Sequence, residues 1–282
     1  MPAGIHSHTM TDITDAYFLP GATHTDDVGT SWQTFTATEH TGSPWGPGFQ
    51  HGAPPSALVT HLLESATPDG GRLVRTTTDL LGAVPLGELR TSTRVLRPGR
   101  RISLVEATVT NPDGREVARG TGWWVRELDT TAIETAVAPD VVPLAEATPD
   151  DDPSNPNSFT GRWSGGYIDT LECRIAPGQL WVRSTIPVVA GVPDTPWTRL
   201  MAVADVANGT NPTLDPGQWQ FMNTDLTVCV HRLPRGTWTC VQADANYGPD
   251  GAGLTVGRLY DEEGPVGTTN QALLLEPATP AP

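Results

Sequence analysis

One carboxylate stands alone in a largely apolar helical run. From Pro196 to Asn208, residues Trp197, Leu200, Met201 and Ala204 recur at helical spacing, and Asp205 sits at the edge of their stripe, beside Met201. Aspartate is a poor helix former, and near a helix C-terminus its charge opposes the macrodipole. A group kept at such a place either satisfies a structural hydrogen bond or does chemistry. A carboxylate that meets a water molecule can act as a general base. A second acid stands in register with it: nine residues after Pro55 comes Glu64, and nine after Pro196 comes Asp205. Glu64 falls beside Ser56, Thr60 and His61, opposite the stripe of Leu58, Val59, Leu62, Leu63 and Ala66. That placement reads as a solvated or interface residue.

Other chemistry is weaker or missing. No Gly-x-Ser-x-Gly elbow exists, and Gly46-Pro47-Gly48 lacks the preceding strand and spacing of a dinucleotide fingerprint. Cys173, Cys229 and Cys240 have neither pairing parity nor zinc-ligand spacing, and no His, Cys and carboxylate set is spaced for a metal. His6 and His8 lie in a polar start that reads as a loose tail. The sequence therefore calls for no metal and no cofactor. Arg94, Arg97, Arg100 and Arg101 gather around an Arg-Pro-Gly-Arg turn, either a solvated hairpin tip or a landing place for phosphates, which arginine clamps with paired hydrogen bonds. Every basic side chain apart from histidine is arginine, because the chain has no lysine.

A net charge of −15 argues against nucleic acid and anionic membranes as partners. No run approaches the ~20 apolar residues that cross a bilayer. Met1 to Asp15 has no basic start and no apolar stretch, so it does not read as a secretory signal. The cysteine usage fits a reducing cytoplasm.

The chain of 282 residues says nearly the same thing twice. Pro85-Leu86-Gly87 is echoed by Pro234-Arg235-Gly236, Asp113-Gly114 by Glu263-Gly264, and Thr78-Asp79-Leu80 by Thr224-Asp225-Leu226, at an offset of roughly 140 to 150 residues. Each copy predicts one helix followed by a long antiparallel meander. In the first, a helix opened by Pro54-Pro55 runs to about Ala66, with strands over Trp32–Thr38, Leu73–Val84, Glu88–Leu96, Ile102–Thr110 and Val117–Arg126. In the second, a hairpin over Tyr167–Ile175 and Leu180–Pro187 precedes a helix from Pro196 to Asn208, with Thr195 as N-cap and Gly209 as its stop. Strands follow over Gln218–Val230, Thr237–Asn246, Gly253–Tyr260 and Val266–Leu275. The expected organisation is a tail (1–28), a first unit (29–127), a linker (128–157) and a second unit (158–282). The fold class is α+β: two curved antiparallel sheets, each wrapped around one helix and joined edge to edge into one.

This plan resembles the double hotdog. Trp45-Gly46-Pro47-Gly48-Phe49-Gln50-His51-Gly52-Ala53-Pro54-Pro55, leading into Ala57-Leu58, resembles the helix start of the acyl-CoA thioesterase II (TesB-like) family. So does Leu96-Arg97-Pro98-Gly99-Arg100-Arg101 followed by an Asp-Gly hairpin. Ala204-Asp205, the strand from Thr224 to Arg232 and Thr269-Asn270-Gln271 fall where that family keeps an aspartate, a Thr/Ser and a glutamine. The resemblance implies hydrolysis of an acyl thioester, with acyl-CoA as substrate, Asp205 activating water, and Gln271 with Asn223 or Thr224 holding that water. Asn223 is a departure: the family's hydroxyl position falls on it, with Thr224 one residue on, and alternating strand faces let only one point inward. Near the first helix start Pro54 and Pro55 have no N–H, so Gly52, Ala53 and Ser56 are left to face an oxyanion. Gln50, His51, Trp45 and Phe49 would line the pocket, and Arg97, Arg100 and Arg101 would meet phosphates. Family members often pair further, so a homo-oligomer is expected.

Two rivals remain. A duplicated hotdog whose site has lost its hydroxyl could bind acyl chains without turning them over. A hotdog hydratase or dehydratase wants a histidine about five residues after the aspartate, where this chain has Thr210.

Overall fold

A computed structural model of the chain describes residues 15–25, 27, 31–135, 140–210 and 213–278. His6 and His8 lie outside the described residues. The first half contains β1 (Phe18–Thr25), β2 (Ser31–Ala37), a short hairpin of β3 (Gly42–Ser43) and β4 (Gly46–Gln50), and helix α1 (Ala53–Ser65). Four long strands follow: β5 (Gly71–Leu80), β6 (Gly87–Arg97), β7 (Ile102–Thr110) and β8 (Glu116–Arg126). The connection to the second half carries β9 (Thr148–Pro149) and one turn of helix, α2 (Phe159–Arg162). The second half comprises β10 (Leu171–Ala176), β11 (Gln179–Ser184), α3 (Pro196–Ala204), α4 (Ala207–Thr210), β12 (Trp219–Asn223), β13 (Asp225–Val230), β14 (Thr239–Tyr247), β15 (Ala252–Asp261) and β16 (Gly264–Pro277).

The main strands form one sheet, ordered β1-β2-β6-β7-β8-β5-β13-β16-β15-β14-β11-β10-β9, with β12 paired to β16. The halves join where β5 and β13 run antiparallel, Asp79 opposite Asp225 and Thr77 opposite Thr227. The expected single sheet and double hotdog are therefore present. Each helix lies in its own half's concave face. Alternation buries Leu73, Val105 and Trp124 beneath α1, and Val182, Val241 and Leu259 beneath α3. The helices also touch each other and run antiparallel: the start of α1 meets the end of α3, where Gly52 approaches Asp205, and the start of α3 meets the end of α1, where Thr195 bonds Glu64.

The sequence expectation differs from the structure in several places, of which these bear on the site and its frame. The stretch assigned to a loose tail includes β1, which pairs with β2 although nearly all its side chains are exposed. A strand without a buried face carries no hydrophobic alternation to reveal it. The helix expected over Pro196–Asn208 breaks after Ala204 and resumes at Ala207, so Asp205 sits at a C-cap rather than inside a helix, and Gly209 lies within α4. The strand expected over Gln218–Val230 breaks at Thr224. The linker contributes two residues of sheet edge, Thr148 and Pro149, and the α2 turn opens the unit that follows it.

Candidate functional site

Asp205 is nearly sealed from solvent, at 3% exposure, and burial pushes its carboxyl up to about 6. Two amides oppose that shift by donating to the same oxygen. Asn223 Nδ2 and Gln271 Nε2 each lie 2.7 Å from Oδ1. Strand alternation puts both amides there: Phe221 and Asn223 share the inner face of β12, and Thr269, Gln271 and Leu273 share that of β16. Oδ1 is thereby saturated and the carboxylate fixed in orientation. Oδ2 is left to the other side, where Gly52 and His51, just ahead of α1, approach.

That approach requires glycine. A Cβ on Gly52 would stand 2.7 Å from Asp205 Oδ2 and 3.2 Å from Leu80 Cδ1. Of the three N–H groups expected to face an oxyanion, two are already used. Ser56 N–H donates to Gly52 O at 3.3 Å, and Ala53 N–H donates to His51 Nδ1 at 3.1 Å. The Gly52 N–H has no partner among the described residues. It belongs to the N-cap residue of α1, at the end where the helix dipole is positive.

His51 stacks on Tyr167, with ring centroids 4.4 Å apart, and its Nδ1 is 3.2 Å from Asp205 Oδ2. It is not the cation of an ion pair. Burial lowers its pKa to about 3, so the ring is neutral, and the Ala53 N–H places a lone pair rather than a proton at Nδ1. Such a nitrogen repels the carboxylate and welcomes its protonated form. Gln50 is pinned elsewhere: its Nε2 donates to Pro85 O at 2.7 Å, and its Oε1 is buried without a partner.

A cavity of about 490 Å³ opens beside this cluster. His51, Gly52, Asp205 and Asn223 line it, and so do Gln50, Trp45 and Phe49, as the sequence suggested. Ala53 is fully buried beneath the helix start and is absent from the wall. Gln271 sits behind Asp205, also off the wall: its Nε2 holds the carboxylate, and its Oε1 is buried without a partner among the described residues. Thr224 borders the mouth but is exposed, and its hydroxyl turns to Ala272 O at 3.4 Å. Asn223, not Thr224, is therefore the residue that faces Asp205.

The arginine cluster is the largest displacement from expectation. Arg97, Arg100 and Arg101 lie at the β6–β7 turn, beside the strand ends at Gly71 and Arg126. Leu80, at the other end of β5, lines the cavity, and nine residues of extended chain separate the two ends by about 30 Å at ~3.3 Å per residue. Arg97 Nη1 instead closes its own turn on Ile102 O at 2.8 Å. No group of His, Cys, Asp and Glu suited to a metal exists among the described residues. Reading residue types missed several wall residues, among them Phe159, Trp163, Phe221 and Val206.

A sheet wrapped around two antiparallel helices, with an acid of one helix over the start of the other, defines a double-hotdog protein. The chain belongs to the acyl-CoA thioesterase family: residues 41–125 match the family model for the N-terminal domain, and residues 139–275 match that for the C-terminal domain. Among solved structures it is similar to a hot-dog-fold protein of unknown function from Alicyclobacillus acidocaldarius, at 15% identity and TM-score 0.69, over 95% of this chain and 98% of that one. It is also similar to the tesB protein of Mycobacterium avium subs paratuberculosis (16% identity, TM-score 0.59, 89% and 96% covered). A third is the acyl-CoA thioesterase II TesB2 of Mycobacterium marinum (14% identity, TM-score 0.59, 93% and 97% covered). These likenesses concern the fold alone. No curated protein sequence matches the chain.

Proposed function

We propose that the protein hydrolyses acyl-CoA to the free acid and thiol, with Asp205 as general base. One observation carries this reading: Asp205 has one oxygen tied by two amides and the other packed against Gly52 and His51 at a cavity. A water on Oδ2 would lose a proton to it as its oxygen attacks the thioester carbonyl. Asn223 Oδ1 is free to accept that water's second hydrogen, since only the Nδ2 side of the amide is committed. The oxyanion would be met by the Gly52 N–H and the α1 dipole. Protonated Asp205 would rest against the His51 Nδ1 lone pair, then return the proton to the departing thiolate as the C–S bond breaks.

Thiol release from an acyl-CoA panel tests the proposal, with Asp205→Asn as the comparison. Retention of most of the wild-type rate by that variant would remove Asp205 as the base. Binding of acyl-CoA with no thiol release from wild type would favour the non-catalytic reading. Water addition to crotonyl-CoA would identify a hydratase, although Thr210 occupies the place where that chemistry wants histidine.

A further inference from the structure

The cavity changes character along its length. Its mouth is bordered by Phe49, Thr224 and Leu274, all exposed. Beyond Asp205 the wall passes through Val206 and Gly209 to Phe159, Trp163 and Phe221, and apart from the half-buried Gly209 all of these are buried. Trp163 packs against Trp45 at 5.1 Å and Phe221 at 6.0 Å between ring centroids, so the rings close on one another. Polar atoms at this end are spent on the protein. Trp163 Nε1 donates to Gly209 O at 3.2 Å, and Asn208 Nδ2 donates to Phe221 O at 2.8 Å.

The wall is anchored, not hinged. Phe159 and Trp163 flank α2, whose first N–H groups are held by Asp150: Phe159 N–H and Thr160 N–H donate to its Oδ2 at 3.0 and 2.8 Å. Ser158 Oγ caps the same turn by accepting from Gly161 N–H at 2.7 Å. The connection between the two halves thus delivers two large aromatic side chains to the closed end of the site.

We propose that Phe159 and Trp163 are a fixed end stop that restricts the site to short- and medium-length acyl groups without polar substituents. The inference rests on the acyl-thioester reading and adds its specificity. A cavity of about 490 Å³ falls in the lower half of the range for drug-sized ligands. It must hold the thioester and the inner thiol arm as well as the acyl group. A long chain would have to displace the aromatic wall, and a hydroxyl or carboxyl at the chain end would find Trp163 Nε1 and Asn208 Nδ2 already donating to the protein.

The test uses non-hydrolysable S-alkyl thioether analogues of CoA, from butyl to hexadecyl, alongside thiol release from the matching acyl-CoAs. Wild type is expected to bind more tightly with each added carbon up to a limit, then to lose tenfold or more beyond it. Trp163→Ala should move that limit up by two or more carbons. Gly209→Ala should move it down, because its Cβ would lie 2.9 Å from Trp163 Nε1 and 3.2 Å from Phe159, driving the rings inward. Phe159→Leu, a milder change, keeps the test open if Trp163→Ala does not fold. A limit that stays put in every folded variant, or hexadecyl bound as tightly as octyl by wild type, overturns the end stop. Binding limits that move as described without thiol release from any acyl-CoA support the end stop and overturn the hydrolase reading alone.

Discussion

The two helix junctions of this molecule hold the same pieces and differ in what fills the space between them. At one, Asp205 ends α3 over the start of α1; at the other, Glu64 lies near the end of α1 over the start of α3. The second junction is closed. Thr195 caps α3 by accepting from Thr198 N–H at 3.0 Å, and its hydroxyl donates to Glu64 Oε2 at 2.7 Å. The longer acid and the capping hydroxyl satisfy each other. The first junction has Gly52 where the second has a side-chain cap, and no side chain of α1 caps its own helix. The Gly52 N–H just ahead of α1 has no partner among the described residues, the Ala53 N–H is met by His51 instead, and a shorter acid leaves room for a cavity. Duplication supplied the frame twice; the cavity lies at the junction whose helix start carries glycine.

The largest effect expected from breaking this contrast is at Asp205. Asp205→Asn should lower thiol release by about 10² to 10⁴ fold, the usual contribution of a positioned general base. The fold should survive, because the new amide still accepts from Asn223 and Gln271 and can donate to His51 Nδ1. Glu64→Gln, the matching change at the closed junction, should leave the rate within a few fold. Gly52→Ala comes next. Its Cβ would push Asp205 Oδ2 away from 2.7 Å, and a displacement of that order in a reacting group costs about 10² fold in rate. Far-ultraviolet circular dichroism should show both variants folded; equal losses at Gly52 and Glu64 would erase the distinction between the junctions.

The next effect is on pH dependence. The proposed mechanism uses Asp205 as a carboxylate, and on that mechanism activity should fall as pH drops through about 6. Gln271→Leu removes a hydrogen bond that favours the charged form. Such a bond is worth about 1.5–3 kcal/mol, and 1.36 kcal/mol is one pKa unit, so the acid limb should move up by about one to two units. A kcat/KM profile that loses height without moving its acid limb would show Gln271 serving the fold alone.

Much of this junction is legible before any coordinates. Asp205 is conspicuous as a lone acid on an apolar stripe, whereas Gln271 comes only from the resemblance to the acyl-CoA thioesterase II family. Choosing between Asn223 and Thr224 was not open to strand alternation. The run from Gln218 to Val230 alternates without a visible fault, yet the strand breaks at Thr224, whose N–H and C=O pair with Ala272 and Leu80. The arginines mislead for a different reason: near or far from the site is a matter of strand direction, which residue type does not report. Phe159 and Trp163 sit in a Pro- and Asp-rich stretch with no periodicity, so only the fold reveals that they close the cavity.

The smallest expected effect concerns stability and comes from the closed junction. Burial pushes the Glu64 carboxyl up to about 7, against a lowering by the Thr195 hydroxyl. A raised carboxyl binds its proton more tightly in the folded chain than in the unfolded one. As pH rises from the unfolded value near 4.5, the unfolded chain releases that proton first, and the folded state loses stability until the folded group has also ionised near 7. Asp205 adds the same trend between about 4 and 6. Glu64→Gln removes the first of these contributions and keeps an acceptor for Thr195. Its melting temperature should therefore match wild type near pH 5 and exceed it near pH 8, in the absence of substrate. Thr195→Ala separates the two functions of the hydroxyl, since it forfeits the α3 cap, about 1 kcal/mol, at every pH. A Glu64→Gln melting curve parallel to wild type from pH 5 to 8 would mean that Glu64 ionises freely and that the closed junction is open to water.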